Sequence, residues 1–226
     1  LNKDSFTLIA PYIKVLGEEG NIAADFLIRI HLDHSQEDYM DLRVGLTDGD
    51  GRFTPKYLPE VLSPALSEWL STAIIKGAVE EGFFQYQGSL SHDAVAAARN
   101  ISLFFKVHGA ELAFQPGWPH VRNVSGDVFI EDSGVRIMAS KGQLLDTRVR
   151  NVAVSIPHVP AGKVSHLFLD GDFEGGLGDG LKILQEAPIG TAETFAGWQG
   201  EGSLKGRVDL DIPLEKGVKK KILVDF

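Results

Sequence analysis

Three segments of the sequence bring together residue types that bind ions or cradle phosphates. Asp48-Gly49-Asp50-Gly51-Arg52-Phe53 has the carboxylates and glycines of a calcium loop. Its register fails: with Gly51 at the required glycine, Leu46 takes the first ligand position and Tyr57 the last, where a bidentate glutamate is needed. Aspartate and glycine are also ordinary turn residues, so a tight hairpin turn is expected here. His31-Leu32-Asp33-His34 offers two imidazoles, but the flanking residues alternate as a strand, which sends His31 and His34 to opposite faces. Gly175, Gly176, Gly178 and Gly180 suggest a phosphate loop. The Gly-Lys-Ser/Thr ending is missing, and Asp170, Asp172, Glu174 and Asp179 would repel phosphate. A flexible turn into a helix is the expectation.

The remaining chemistry is thin. There is no His-Glu-x-x-His pair for zinc and no Gly-x-Ser-x-Gly elbow for a hydrolase. The absence of cysteine excludes disulfides, thiolate zinc sites and thiol catalysis. Carboxylates are abundant, but none stands in an apolar context that would tune it for acid–base work. A net charge of −9 argues against a nucleic-acid groove and against simple docking on an anionic membrane. Asn100-Ile101-Ser102 and Asn123-Val124-Ser125 fit the glycosylation triplet, a pattern that arises often by chance. Trp69, Trp118 and Trp198 read as packing residues, Trp118 at a sheet corner between Pro116 and Pro119. No catalytic residue, metal or cofactor is expected.

The elements are clearer than the chemistry. Ile22, Ala24, Phe26, Ile28, Ile30 and Leu32 share one face, with Asp25, Arg29, His31 and Asp33 opposite. The same alternation recurs at Met40–Leu46, Phe84–Tyr86, Leu103–Val107, Val128–Ile130, Val135–Ile137, Val152–Ile156, Leu167–Phe173 and Leu204–Leu214. Period two predicts roughly ten or eleven strands, each with one apolar face. Asp48–Gly51, Asp132-Ser133-Gly134, Lys141-Gly142 and Pro160-Ala161-Gly162 carry turn chemistry, so the strands are expected to be antiparallel. One helix follows a Ser63 cap and Pro64, carries Leu66, Trp69, Leu70 and Ile74, and is expected to stop near Gly77. A shorter one is expected after Asp179, with Leu181, Ile183 and Leu184, stopping before Pro188. Ser5–Leu16 is ambiguous between strand and helix, and Ser91–Asn100 reads as a loop or short turn. No composition shift divides residues 1–226, and Gly171–Gly180 is the candidate hinge. No run of about 18 apolar residues spans a membrane. The chain does not begin with methionine and is expected to be a segment of a larger protein, with any anchor outside it.

Two helices are too few to cover so many apolar strand faces. A sandwich, a closed barrel or an open trough lined for acyl chains would each solve the problem. Resemblance bears on the choice. Trp69-Leu70-Ser71-Thr72-Ala73-Ile74-Ile75-Lys76-Gly77 runs into Gly82-Phe83-Phe84-Gln85-Tyr86-Gln87-Gly88-Ser89-Leu90. Downstream come Phe114-Gln115-Pro116-Gly117-Trp118-Pro119, then Val124-Ser125-Gly126-Asp127-Val128, then Leu169-Asp170-Gly171-Asp172-Phe173 through Pro188. In order and spacing these resemble the central region of the AsmA-like proteins of the YhdP branch, most strongly over residues 57–214. Ser91–Asn100 departs from the pattern, lacking the usual Phe-Pro-Phe.

That resemblance implies a curved antiparallel β-sheet forming an open half-barrel groove, with one clear and one short α-helix flanking or plugging it. It implies a periplasmic segment of a phospholipid transport protein, anchored in the inner membrane outside this chain and similar to bridge-like lipid-transfer proteins. Expected partners are phospholipid acyl chains and adjacent segments of the same full-length protein. The expected lining is Phe26, Ile28, Ile30, Leu42, Val44, Val128, Ile130, Val152, Val154, Ile156, Val208, Leu210 and Ile212. Leu66, Trp69, Leu70 and Ile74 would form the flanking helix. The rival is a structural or assembly module with a sealed sandwich core and pairing strand edges. An enzyme on a β scaffold would need clustered carboxylates or histidines, which the sequence does not offer.

Overall fold

A computed structural model describes residues 4–32, 36–57, 64–91, 93–132, 134–160, 162–215 and 221–225. Eleven strands follow the alternating segments: β1 Ser5–Gly17, β2 Gly20–His31, β3 Tyr39–Asp50, β4 Ile74–Ser89, β5 Arg99–Leu112, β6 Val121–Glu131, β7 Gly134–Leu144, β8 Thr147–Ile156, β9 His166–Gly176, β10 Ser203–Pro213 and β11 Lys221–Asp225. Helices are α1 Thr54–Tyr57, α2 Pro64–Ala73, α3 Leu177–Glu186 and α4 Ala192–Phe195. All strands belong to one antiparallel sheet in sequence order, β1 to β11. The two end strands do not pair with each other, so the sheet stays open. Among the described residues there is no second sheet for a sandwich.

The sheet bends for a local reason. Strand irregularities fall at one level across five neighbours: β4 between Ile74 and Glu81, β5 between Val107 and Ala110, β6 between Arg122 and Gly126, β7 between Ala139 and Lys141, and β8 between Arg150 and Ala153. Gly109, Asn123 and Asn151 sit there with φ of 57°, 53° and 50°. Each bulge adds a residue to one strand, bending it and increasing its twist. Aligned bulges therefore crease the sheet across β4 to β8.

Several turn expectations change. Asp48, Gly49 and Asp50 continue β3, with Gly49 opposite Val79, and the chain leaves through a 3₁₀ turn at Gly51–Phe53 rather than a tight hairpin. Asp48 has φ 54°, so its turn chemistry serves an irregularity inside the strand. Lys141-Gly142 likewise lies inside β7, because the β7–β8 turn is at Leu145-Asp146. The Asp132 turn and the loop holding Pro160 fall where expected. Helix α2 ends at Ala73, not Gly77: Ile74 opens β4 opposite Leu112, and Gly77 lets β5 approach closely, since a Cβ there would lie 2.9 Å from that of Ala110. Ser63 lies outside the described residues. Helix α3 starts at Leu177, three residues earlier than expected, and the ambiguous Ser5–Leu16 is strand. Of the glycine-rich stretch, Gly171 to Gly176 belongs to β9 and the rest to α3. The Ser91–Asn100 region holds a 3₁₀ turn at Ala96–Ala98 and then enters β5.

Candidate functional site

Directly opposed residues of an antiparallel pair share a face. One row can therefore be followed across every strand: Val15, Ile22, Leu46, Gly82, Phe105, Val128, Ile137, Val154, Leu169, Leu210, Ile222. A parallel row runs Ile13, Ala24, Val44, Phe84, Leu103, Ile130, Val135, Ile156. All thirteen expected lining residues fall on this same face. Phe26 opposes Leu42, Ile30 opposes Phe6, Val152 opposes Ala139, Val208 opposes Gly171 and Ile212 opposes Leu167.

Every one of the thirteen is half-buried, neither sealed nor bare. Among the described residues no large side chain is fully buried, and the buried apolar set is small: Ala73, Tyr86, Leu103, Ala110, Val124 and Ala187. The apolar side chains thus shield one another along the sheet, and among the described residues no second sheet lies over them. The opposite face is polar and laced with ion pairs. Arg43 meets Asp25 at 2.8 Å, Lys106 meets Glu80 at 2.9 Å, and Arg207 reaches Asp170 and Asp172. Hydrogen bonds from His108 and Lys106 hold the Glu80 carboxyl below the usual carboxylate range. Glu111 is held low chiefly by His120, which lies 2.9 Å away, with Lys76 at 3.3 Å adding to it. These are exposed fasteners of neighbouring strands.

The helices all leave the same end of the sheet, the end bearing Gly17, Asp50, Leu112, Leu144 and Gly176. There they interlock. The Trp69 indole N–H donates to the Phe114 carbonyl at 2.9 Å, and the Ala113 N–H donates to the Ala73 carbonyl at 2.8 Å. Phe114 packs on Trp118, with ring centroids 5.6 Å apart. Gly117 abuts Pro188: a Cβ there would lie 3.5 Å from the proline ring. At its other end α3 is pinned to the β7–β8 turn, because the Asp146 N–H and the Thr147 hydroxyl both donate to Asp179 at 2.9 and 2.8 Å. Gly180 faces Leu204, which is in phase with Val208 on the apolar side. Ten helical residues span about 15 Å, and three strand spacings about 14 Å. Helix α3 therefore crosses from β9 back toward β6 along one rim, on the apolar side.

The residues expected on a flanking helix divide between two elements. Trp69 and Leu70 lie on α2, with Trp69 at the rim and 42% exposed. Ile74 is a strand residue, and the Leu66 side chain lies outside what is described. Sequence reasoning missed the α3 strap, whose contacts join residues about seventy positions apart. It also missed Arg99, which opens β5 in phase with Ile101 and Leu103. Among the described residues no group of three or more histidines or carboxylates is arranged to hold a metal. No helix is long and apolar enough to cross a membrane.

An open antiparallel sheet of eleven strands among the described residues, with one apolar face, defines a mainly β protein built on a single sheet. The family model for the YhdP protein matches residues 13–226, and the chain belongs to that family. It is 25% identical over 188 residues to the "Intermembrane phospholipid transporter YhdP" of Escherichia coli (strain K12), an alignment covering 80% of this chain. The chain spans only 14% of that relative's length. No solved structure matches.

Proposed function

We propose that this chain is a periplasmic segment of a bridge-like phospholipid carrier running between inner and outer membranes, and that its apolar face shelters acyl chains. The observation that carries this reading is the row of eleven residues, one per strand, ten apolar side chains and Gly82, over which no second sheet lies among the described residues. Eleven strands about 4.8 Å apart give roughly 48 Å of continuous apolar surface. Half a bilayer's hydrocarbon is about 15 Å thick, so the surface is about three leaflet thicknesses long. Each methylene moved from water onto such a surface contributes about 0.8 kcal/mol. Passive sheltering asks for no catalytic group, in keeping with a chain that offers none by motif, and the reading is accordingly of a carrier and not an enzyme.

The strand edges support continuity with neighbouring segments. β1 carries Phe6, Leu8, Ile13 and Val15 in phase with the groove, all at least 40% exposed. Natural edge strands are normally blunted by charge or covered. Here the preceding and following parts of a longer protein would pair with β1 and β11 and extend the trough, with the inner-membrane anchor outside this chain. The relative named for intermembrane phospholipid transport fits that arrangement.

The test is native mass spectrometry of the chain purified from a bacterial envelope, together with uptake of a fluorescent phospholipid after delipidation. Co-purified phospholipid and saturable uptake are expected. A clean, lipid-free chain that takes up none overturns the reading.

A further inference from the structure

The two rims of the sheet differ. At the end holding Leu112 and Leu144, the α3 strap touches Leu204 of the apolar face and meets the Phe114–Trp118 loop where Pro188 abuts Gly117. At the other end, the described connections carry no α-helix, only short loops and the Ala96–Ala98 turn. A lipid lying on this face must put its polar head where water reaches it, because burying an uncompensated phosphate is costly. The strapped rim carries Trp69, Phe114, Trp118 and Pro188; of the cations at that end, Arg52 and Lys56 are held by Asp50 and Glu19, and Lys182 stands exposed on α3.

The unstrapped rim holds a group suited to one. Arg99 pairs with Gly88 at the start of β5, so it shares the face of Tyr86, Ile101, Leu103 and Phe105. The next in-phase positions of β5, Ile101, Leu103 and Phe105, are all apolar. It is half-buried, and it makes no salt bridge or side-chain hydrogen bond among the described residues. This contrasts with Arg43, Arg52 and Arg207, each on a carboxylate. A guanidinium at the water-facing end of an apolar surface has the fork geometry to take two phosphate oxygens.

We propose that Arg99 binds the phosphodiester of a phospholipid whose acyl chains lie on the apolar face, so that head groups project from the rim opposite the α3 strap. The proposal rests on the acyl-sheltering reading and adds to it a polarity and a head-group contact. It makes the groove selective for phosphate-bearing lipids over neutral diacylglycerol, although the hydrocarbon is the same.

The experiment titrates the 226-residue chain with an acyl-labelled phosphatidylglycerol and with the matching diacylglycerol. Arg99→Gln, Arg99→Lys and, as an outer-face control at the strapped rim, Arg122→Ala are compared with the parent, and folding is checked by circular dichroism. One charge-assisted contact predicts that the parent prefers the phospholipid about ten- to a hundredfold. Arg99→Gln should erase that preference while leaving diacylglycerol binding intact, Arg99→Lys should keep part of it, and Arg122→Ala should keep all of it. A preference that survives in Arg99→Gln overturns the proposal and leaves acyl sheltering standing. Equal loss of phospholipid binding in the parent on adding millimolar inorganic phosphate would mark a free-phosphate site and likewise overturn it. If the parent binds neither lipid, the acyl-sheltering reading falls as well.

Discussion

Replacing Ile130 with aspartate separates an open groove from a closed core. Ile130 sits between Leu103 and Val135 on the apolar face and is half-buried. Full burial of an isoleucine is worth about 1.5–3 kcal/mol, so half of that, roughly 1–1.5 kcal/mol, is at stake in packing. On an uncovered face the new carboxylate keeps most of its water, and the total loss should be about 1–2 kcal/mol. For a chain of this size each kcal/mol lowers Tm by about 2–4 °C, which predicts a fall of about 2–8 °C with cooperative unfolding retained. In a sealed core the same charge would cost about 3–5 kcal/mol or more and would commonly prevent folding. The assay is thermal unfolding by circular dichroism, with lipid occupancy followed by native mass spectrometry. Occupancy should drop sharply, because a carboxylate among acyl chains is unfavourable. An unfolded Ile130→Asp chain, or one that folds and carries its full load of lipid, would refute the reasoning.

Gly126→Ala should destabilise the β6–β7 pairing by about 1–3 kcal/mol, since its Cβ would lie 2.4 Å from the Met138 carbonyl oxygen and 2.6 Å from the Ala139 Cα; urea unfolding would show it, and an unchanged midpoint would contradict the close approach. Glu111→Gln should destabilise the chain at neutral pH, because the wild-type carboxylate is held low by His120 and Lys76. The stabilisation from a depressed carboxylate is complete above its unfolded pKa of about 4.3 and fades as pH falls through the lower folded value. The gap between the two proteins in urea should therefore narrow on acidification, and a gap that widens would reverse the assignment. Leu8→Lys on the exposed edge strand β1 should suppress self-association of the isolated chain, as read by sedimentation velocity at increasing concentration; equal association of both proteins would show that β1 is not the sticky edge.

Much of the sheet was legible because its physics is local. Period-two alternation fixes which residues share a strand face, and an unbroken antiparallel order carries that parity from strand to strand. Val44, Ile130, Ile156 and Leu210 thus reach the same surface although they lie far apart in sequence. Turn chemistry was the weaker guide. Asp48-Gly49 and Lys141-Gly142 are turn residues used inside strands: Asp48 takes a positive φ there, and at Gly142 a Cβ would lie 3.0 Å from the Val149 side chain. The Ile74-Ile75 pair following Ala73 favours strand over helix, which is why α2 stops before Gly77. The strap was not legible, because the approach of Pro188 to Gly117 and the bond from Thr147 to Asp179 are tertiary. Arg99 was within reach: counting back by two from Leu103 and Ile101 places it on the apolar face, where a charge needs a reason.

The central claim is that hydrocarbon occupies the face carrying Val128 and Val154 and not the one carrying Met138. A photoreactive side chain placed in turn at Val154 and at Met138, which is 51% exposed on the outer face, tests it most directly. Irradiation with phospholipid bearing a labelled acyl chain should label the Val154 position strongly and the Met138 position at background. Equal labelling at both positions, or labelling confined to Met138, would contradict the account.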